Sequence, residues 1–105
     1  MIQGGDPTAS GSGGPGYKTV DRPPGSTRYT HGLVAMAKTA SEPAGTAGSQ
    51  FFVVTASNAG LPADYAVLGT VVKGLGVVDA IGKLGDASEQ PTETVEIVHA
   101  TVNVH

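Results

Sequence analysis

Apolar residues in this chain fall in short runs separated by turn-forming stretches, and only one stretch repeats them at helical spacing. The opening MIQGGDP starts with the end of a strand at 1–3 and stops it with a Gly-Gly-Asp-Pro turn at 4–7. HGLVAMA, 31–37, is an apolar run after turn-rich sequence and predicts a strand, whereas KTASEPAGTAG, 38–48, has the composition of a loop. SQFFVVTA, 49–56, carries the strongest strand signal, two aromatics followed by two β-branched valines. A second loop, SNAGLPADY, 57–65, leads to the strand AVLGTVV, 66–72, in which Gly69 marks a bend or bulge.

GLGVVDAIGKLG, 74–85, predicts the helix. Val77, Ile81 and Leu84 fall four and three residues apart on one face with Val78 beside them, Asp79 and Lys83 stand at pairing distance, and Gly85 is placed as a C-terminal cap. Gly76 and Gly82 weaken such a helix, so packing must hold it. The end of the chain, 92–104, reads as a β-rich tail, apolar at Val95, Ile97 and Val98 and again at Ala100, Val102 and Val104. Residues 1–48 hold ten Gly and five Pro against six and two in 49–105, so the first half is expected to be turns around one or two strands. One helix among several strands predicts a mainly β domain, antiparallel or barrel-like.

Composition narrows the function. A chain of 105 residues is at most one domain with a modest core. The net charge of −3 is scattered, with no basic run for nucleic acid, and there is no cysteine for a disulfide or thiolate site. No apolar stretch is long enough to span a bilayer, and no secretory leader is read, so a cytoplasmic location is the expectation.

The literal G-x-G-x-x-G in GSGGPG, 11–16, lacks an adjoining strand and an opening helix, so it reads as a surface turn rather than a cofactor loop. His31, His99 and His105 have no metal-site spacing, and Ser49 sits in AGSQF rather than in a nucleophile elbow. With no nucleophile, acid–base pair, metal site or cofactor cradle, the residues point to a binding module or to an enzyme that breaks no covalent bond.

Strand geometry suggests where binding would occur. Side chains alternate, so Gln50, Phe52 and Val54 share one face of their strand and Phe51, Val53 and Thr55 the other. Met1 and Gln3 likewise share a face, with Ile2 opposite. If the two glutamine-bearing faces meet, they form an apolar pocket rimmed by amides, which suits an extended peptide. Taken singly, Phe52 is as well explained as a core residue, and Gln3 or Gln50 as a solvated strand amide.

MIQGGDP, GSGGPGY, GLVAMAK, GSQFFVVT and LGTVVKGLGVVDAIGKL occur in the order seen in cyclophilins, and the chain resembles a bacterial single-domain member of these peptidyl-prolyl cis–trans isomerases over nearly its whole length. The resemblance implies an eight-stranded antiparallel barrel closed by two helices, with a peptide groove outside. It implies that Met1, Phe52 and Leu61 line the socket for the substrate proline ring, and that Gln3 hydrogen-bonds the substrate backbone. Gln3 and Phe52 are thus the catalytic candidates here. Gly11 and Gln50 match further groove residues, and Ala37, Lys38 and Thr39 the edge that takes the residue before proline. The implied partners are proline-containing peptides and unfolded protein clients, bound by a monomer without cofactor or metal, and without nucleic acid or membrane.

The sequence also departs from the family. The loop KTASEPAGTAGSQ, 38–50, is longer than the common form and built differently, Lys38 replaces a frequent asparagine, Tyr65 a usual histidine, and Gly60 the tryptophan of many eukaryotic members, which argues against tight cyclosporin binding. The family's catalytic arginine lies upstream of QGGDP, with further strands and a first helix, whereas Arg22 and Arg28 lie downstream. The expectation is therefore a single partial domain over 1–105, the C-terminal two thirds of the barrel, with unpaired sheet edges. Two functions follow: an isomerase that stabilises the twisted X-Pro amide without covalent chemistry, or a proline-peptide-binding remnant without significant catalysis.

Overall fold

A computed structural model of the chain describes residues 1–8, 10, 12–85, 93 and 95–104. The described elements are β1 (Ile2–Gly4), β2 (Thr19–Val20), β3 (Leu33–Met36), β4 (Thr46–Ala47), β5 (Phe51–Val53), β6 (Val67–Thr70) and α1 (Leu75–Gly82). Four strands form one antiparallel sheet in the order β1-β5-β3-β6, while β2 and β4 pair separately. The chain is mainly β with one helix, as its pattern predicts. Among the described residues the sheet is open, with β1 and β6 as edges, rather than a closed eight-stranded barrel.

The apolar runs at 31–37, 49–56 and 66–72 each supply a strand, trimmed at both ends. The bulge expected at Gly69 is present: Val34 faces Gly69 but Ala35 faces Val67, so Leu68 is the extra residue. The first half holds four short strands, more than the one or two expected. The loop at 38–48 conceals β4, whose Thr46 and Ala47 pair with Val20 and Thr19. A two-residue ladder leaves no periodicity to read. It depends on Gly45, whose φ of +83° and close approach to the Asp21 carbonyl exclude a side chain.

One face of the sheet carries the core. Tyr29, Ala35, Phe52 and Val54 are buried together, and Leu33, Ala37, Ala59, Leu61 and Tyr65 pack against them. Leu33 and Ala35 in β3, with Ala37 just beyond it, alternate as a two-residue period requires, as do Phe52 in β5 and Val54 just beyond it. The opposite face meets the helix, where a side chain on Gly82 would press against Thr55 and Ile2.

Helix α1 differs from its expected form in three ways. Val78, Ile81 and Leu84 are half-buried, but Val77 points to solvent, so the inward stripe runs at steps of three. Asp79 pairs across the fold with His31, whose Nε2 lies 2.8 Å from Asp79 Oδ1, instead of with Lys83. The cap is Lys83, not Gly85: its amide reaches Asp79 O, and the Leu84 amide reaches Ile81 O at 3.0 Å, which tightens the last turn after the poor helix former Gly82.

The β-rich tail expected over 92–104 is not a strand within 95–104, and Thr92 and Thr94 lie outside the described residues, as does His105. Alternation specifies a strand only where a neighbouring ladder accepts it, and none of the described strands pairs with this segment. Val98, Val102 and Val104 consequently face solvent.

Candidate functional site

Register brings the two glutamine-bearing faces together. Gln3 stands directly opposite Phe52, and Ala35 stands opposite Phe52 on its other side. Gln3 Nε2 donates to Gln50 Oε1 at 2.9 Å, and Gln50 Nε2 donates to the Gly13 carbonyl at 2.7 Å. This relay has a direction. A backbone carbonyl only accepts, so the amide nitrogen of Gln50 must face Gly13, its oxygen must face Gln3, and the nitrogen of Gln3 must face Gln50. Gln3 therefore turns its carbonyl oxygen outward as an acceptor and keeps one amide hydrogen besides the one given to Gln50. The same relay ties the glycine-rich turn at 12–16 back over β5, a structural use for that motif in place of a cofactor loop.

Beside the amides lies an aromatic cluster. Phe52 is 2% exposed, with Tyr65 edge-on to it at 5.5 Å between ring centroids and an interplanar angle of 89°. Leu61 packs against the same cluster. Tyr29 completes it, 5.8 Å from Tyr65 and 6.2 Å from Phe52. Its hydroxyl donates to Tyr65 O at 2.7 Å and accepts from the Tyr65 amide at 3.0 Å. Burial is the largest influence on this hydroxyl and raises its pKa above the ordinary tyrosine value.

The loop from 38 to 42 forms the next wall. Lys38 Nζ sits 5.4 Å from the centre of the Tyr65 ring, within cation–π range. Glu42 folds back beneath it, taking the Lys18 ammonium on one oxygen and, on the other, the Thr39 amide at 2.8 Å and the Thr39 hydroxyl at 3.1 Å. The Lys18 hydrogen bond, and next the Thr39 amide, hold the Glu42 carboxyl down at about 2.

Of the residues singled out in the sequence, Gln3, Gln50, Phe52, Leu61, Tyr65, Ala37 and Lys38 stand around one patch. Met1 shares the face of Gln3 but is 56% exposed and lies outside the buried cluster. At the 37–39 edge, the amides of Ala37 and Thr39 are already occupied by Gln50 O and Glu42. Gly11 lies outside the described residues. Among the described residues no group of acids and histidines is placed to hold a metal ion, and no helix is long and apolar enough to cross a membrane. Sequence reasoning missed Tyr29, which is fully buried yet sits in a stretch, TRYTHG, with no periodic signal.

A four-strand antiparallel sheet thus carries a buried aromatic cluster beside two directed amides. The family model of the cyclophilin type peptidyl-prolyl cis-trans isomerases matches residues 1–102, and the chain belongs to this family. It is 38% identical to peptidyl-prolyl cis-trans isomerase A of Mycobacterium tuberculosis, over 98% of this chain and 57% of that protein. It is also 38% identical to peptidyl-prolyl cis-trans isomerase-like 1 of Gibberella zeae, over 97% of this chain and 64% of that protein. The crystal structure of a Cryptosporidium parvum cyclophilin type peptidyl-prolyl cis-trans isomerase, determined in the presence of the dipeptide Ala-Pro, superposes with a TM-score of 0.72 at 33% identity, over 86% of this chain and 60% of that one. The chain thus spans less than two thirds of the length of these relatives.

Proposed function

We propose that this chain binds proline-containing segments of unfolded polypeptides on the Gln3–Phe52 patch and accelerates cis–trans exchange about the X-Pro bond. Rotation of that bond is opposed by a barrier of ~18–20 kcal/mol from amide resonance. Since no bond is broken, catalysis consists in binding the twisted amide better than either planar form. Two kinds of group on the patch suit that task. The apolar wall of Phe52, Leu61 and Tyr65 gives a proline ring a fixed seat, so that the rest of the peptide turns against it. The outward oxygen of Gln3 offers an acceptor to a peptide N–H beside the seat, at an orientation fixed through Gln50 and Gly13. The directed relay Gly13–Gln50–Gln3 is the observation that carries this reading.

A second reading, binding without turnover, is favoured by the position of the arginines. Arg22 and Arg28 both lie between β2 and β3, and neither is bonded to Gln3. A protease-coupled isomerisation assay on the 105-residue chain, run with a chemical-shift titration of the same peptide, separates the two. A rate above the thermal background with shifts at Gln3 and Tyr65 supports the isomerase. Shifts with a background rate leave the binder, and no shifts at these residues overturn both.

A further inference from the structure

Two cations border the socket, and neither has a carboxylate partner among the described residues. Lys38 Nζ, over the Tyr65 ring, donates only to the backbone carbonyls of Thr39 at 3.2 Å and Glu42 at 3.3 Å. These are neutral acceptors, so its charge is not cancelled. The neighbouring acid, Glu42, is occupied by Lys18 and Thr39. Arg28 lines an open cleft of about 370 Å³ together with Thr27, Asn58, Gly60 and Leu61. The ion pairs among the described residues, Lys18–Glu42 and His31–Asp79, leave out Lys38, Arg28 and also Asp64, the acid preceding Tyr65. Tyr65 connects Lys38 to the socket and Leu61 connects the Arg28 cleft to it, because both pack on the Phe52 cluster.

We infer that the site selects prolines flanked by acidic side chains, one carboxylate reaching Lys38 and the other Arg28. The inference rests on the proline-socket reading above and adds the chemical class of the neighbouring residues. It runs against the global field, since a chain of net charge −3 repels acidic peptides unless local cations reverse the preference. Lys38 is half-buried and Arg28 exposed, so the selection is modest and sensitive to salt.

The test is a calorimetric or chemical-shift titration of the chain with four peptides: Ala-Ala-Pro-Ala, the same with Glu before proline, the same with Glu after it, and a version with Lys at both places. At low salt each Glu is expected to tighten binding about threefold to fivefold over Ala, the scale of an exposed ion pair. Lys at both places weakens it, and the differences collapse in about 1 M salt, where the screening length is ~3 Å. Lys38→Met is expected to abolish the gain of one Glu peptide and Arg28→Met that of the other, with Lys38→Arg restoring the first. The pairing of variant with peptide then gives the direction of the bound strand. Equal affinities for the Glu and Lys peptides at low salt, or gains that persist in both Met variants, overturn the acidic preference while leaving the socket intact. Failure of all four peptides to bind overturns the socket itself. The salt series on the unmodified chain decides the matter even if Lys38→Met loosens the loop it braces.

Discussion

The hydroxyl of Tyr29 is bound twice by a single residue, donating to the carbonyl of Tyr65 and accepting from its amide. Tyr29 is fully buried, both bonds are at least partly shielded from solvent, and the two rings are locked edge to face. Tyr65 in turn covers Phe52 and carries Lys38, so one hydroxyl sets the position of the socket wall. Tyr29→Phe keeps the packed ring and removes only this clasp, leaving two backbone groups of Tyr65 unpaired. The expected loss is about 1–3 kcal/mol, read from urea unfolding. Peptide affinity should fall more than it does in a core variant of equal stability that lies away from Tyr65, and equal losses in both would remove Tyr29 from the positioning of the site.

The same clasp predicts a limit at high pH. The Tyr29 hydroxyl titrates above the ordinary tyrosine value in the folded chain, so the folded state holds its proton more tightly than the unfolded state. Its contribution to stability is complete well below pH ~10, where unfolded tyrosine is half ionised, and is lost as pH rises through the folded value. Spectrophotometric titration should show one tyrosine ionising above the ordinary tyrosine value. Tyr29→Phe should remove that late component.

The relay Gly13–Gln50–Gln3 couples a loop to the site. Gln50→Leu removes both ends at once, so the glycine-rich turn loses its tether and Gln3 its fixed orientation. These two hydrogen bonds, one exposed and one half-buried, carry a net ~0.5–1.5 kcal/mol each, so stability is expected to drop by about 1–3 kcal/mol. Binding of the substrate backbone suffers more, because an amide free to flip no longer presents its oxygen. Peptide titration against Gln3→Leu gives the comparison: the double variant should bind as each single one does, since all three lack a directed acceptor.

Gly5 fixes the turn that ends β1. It adopts φ +90°, and a Cβ there would lie 2.1 Å from Ser49 O, while the Ser49 hydroxyl donates back to Gly5 O at 2.7 Å. Gly5→Ala must move the β1–β5 edge on which Gln3 and Phe52 face each other, with an expected cost of at least ~2 kcal/mol from the left-handed conformation and the collision together. Gly14→Ala, in open space with ordinary φ, serves as its control and should be neutral within about 0.5 kcal/mol. Thermal unfolding of the two variants checks the contrast.

These residues also show what the sequence could and could not reveal. The strands β3, β5 and β6 were legible because each combines apolar and β-branched residues in a run long enough to state a period, and Phe52 and the glutamines could be assigned to faces from that period alone. What the pattern could not supply were relationships that carry no period. The β2–β4 ladder is two residues long, and the Tyr29 clasp joins residues thirty-six apart through a single oxygen. The partner of Asp79 was misjudged because an i, i+4 lysine is visible in sequence while His31, brought close only by the fold, is not. The tail misled in the other direction: alternation announced a strand, but strand formation needs a ladder beside it, and no described strand pairs with 95–104.

Glu42 supplies the acid-side prediction. In the unfolded chain its carboxyl titrates near the ordinary glutamate value of 4.5, and in the fold the Lys18 and Thr39 hydrogen bonds hold it at about 2. A carboxyl with a lowered folded value releases its proton more readily in the folded state, so its contribution is present above pH ~4.5 and is lost as pH falls toward 2. Between these limits the loop 38–42 should stay closed, and below them it should open, since a protonated Glu42 no longer draws in Lys18. The reporter is the Thr39 amide, which donates directly to Glu42 Oε1. Its proton shift should follow a single titration with a midpoint near 2 in the folded chain, and Glu42→Gln should flatten the curve. Since Glu42 keeps the carbonyl that receives Lys38, opening of this loop should also release the ammonium from above Tyr65. A Thr39 midpoint near 4.5 would mean that the loop is not braced by its carboxylate, and that the seat of Lys38 over Tyr65 is independent of it.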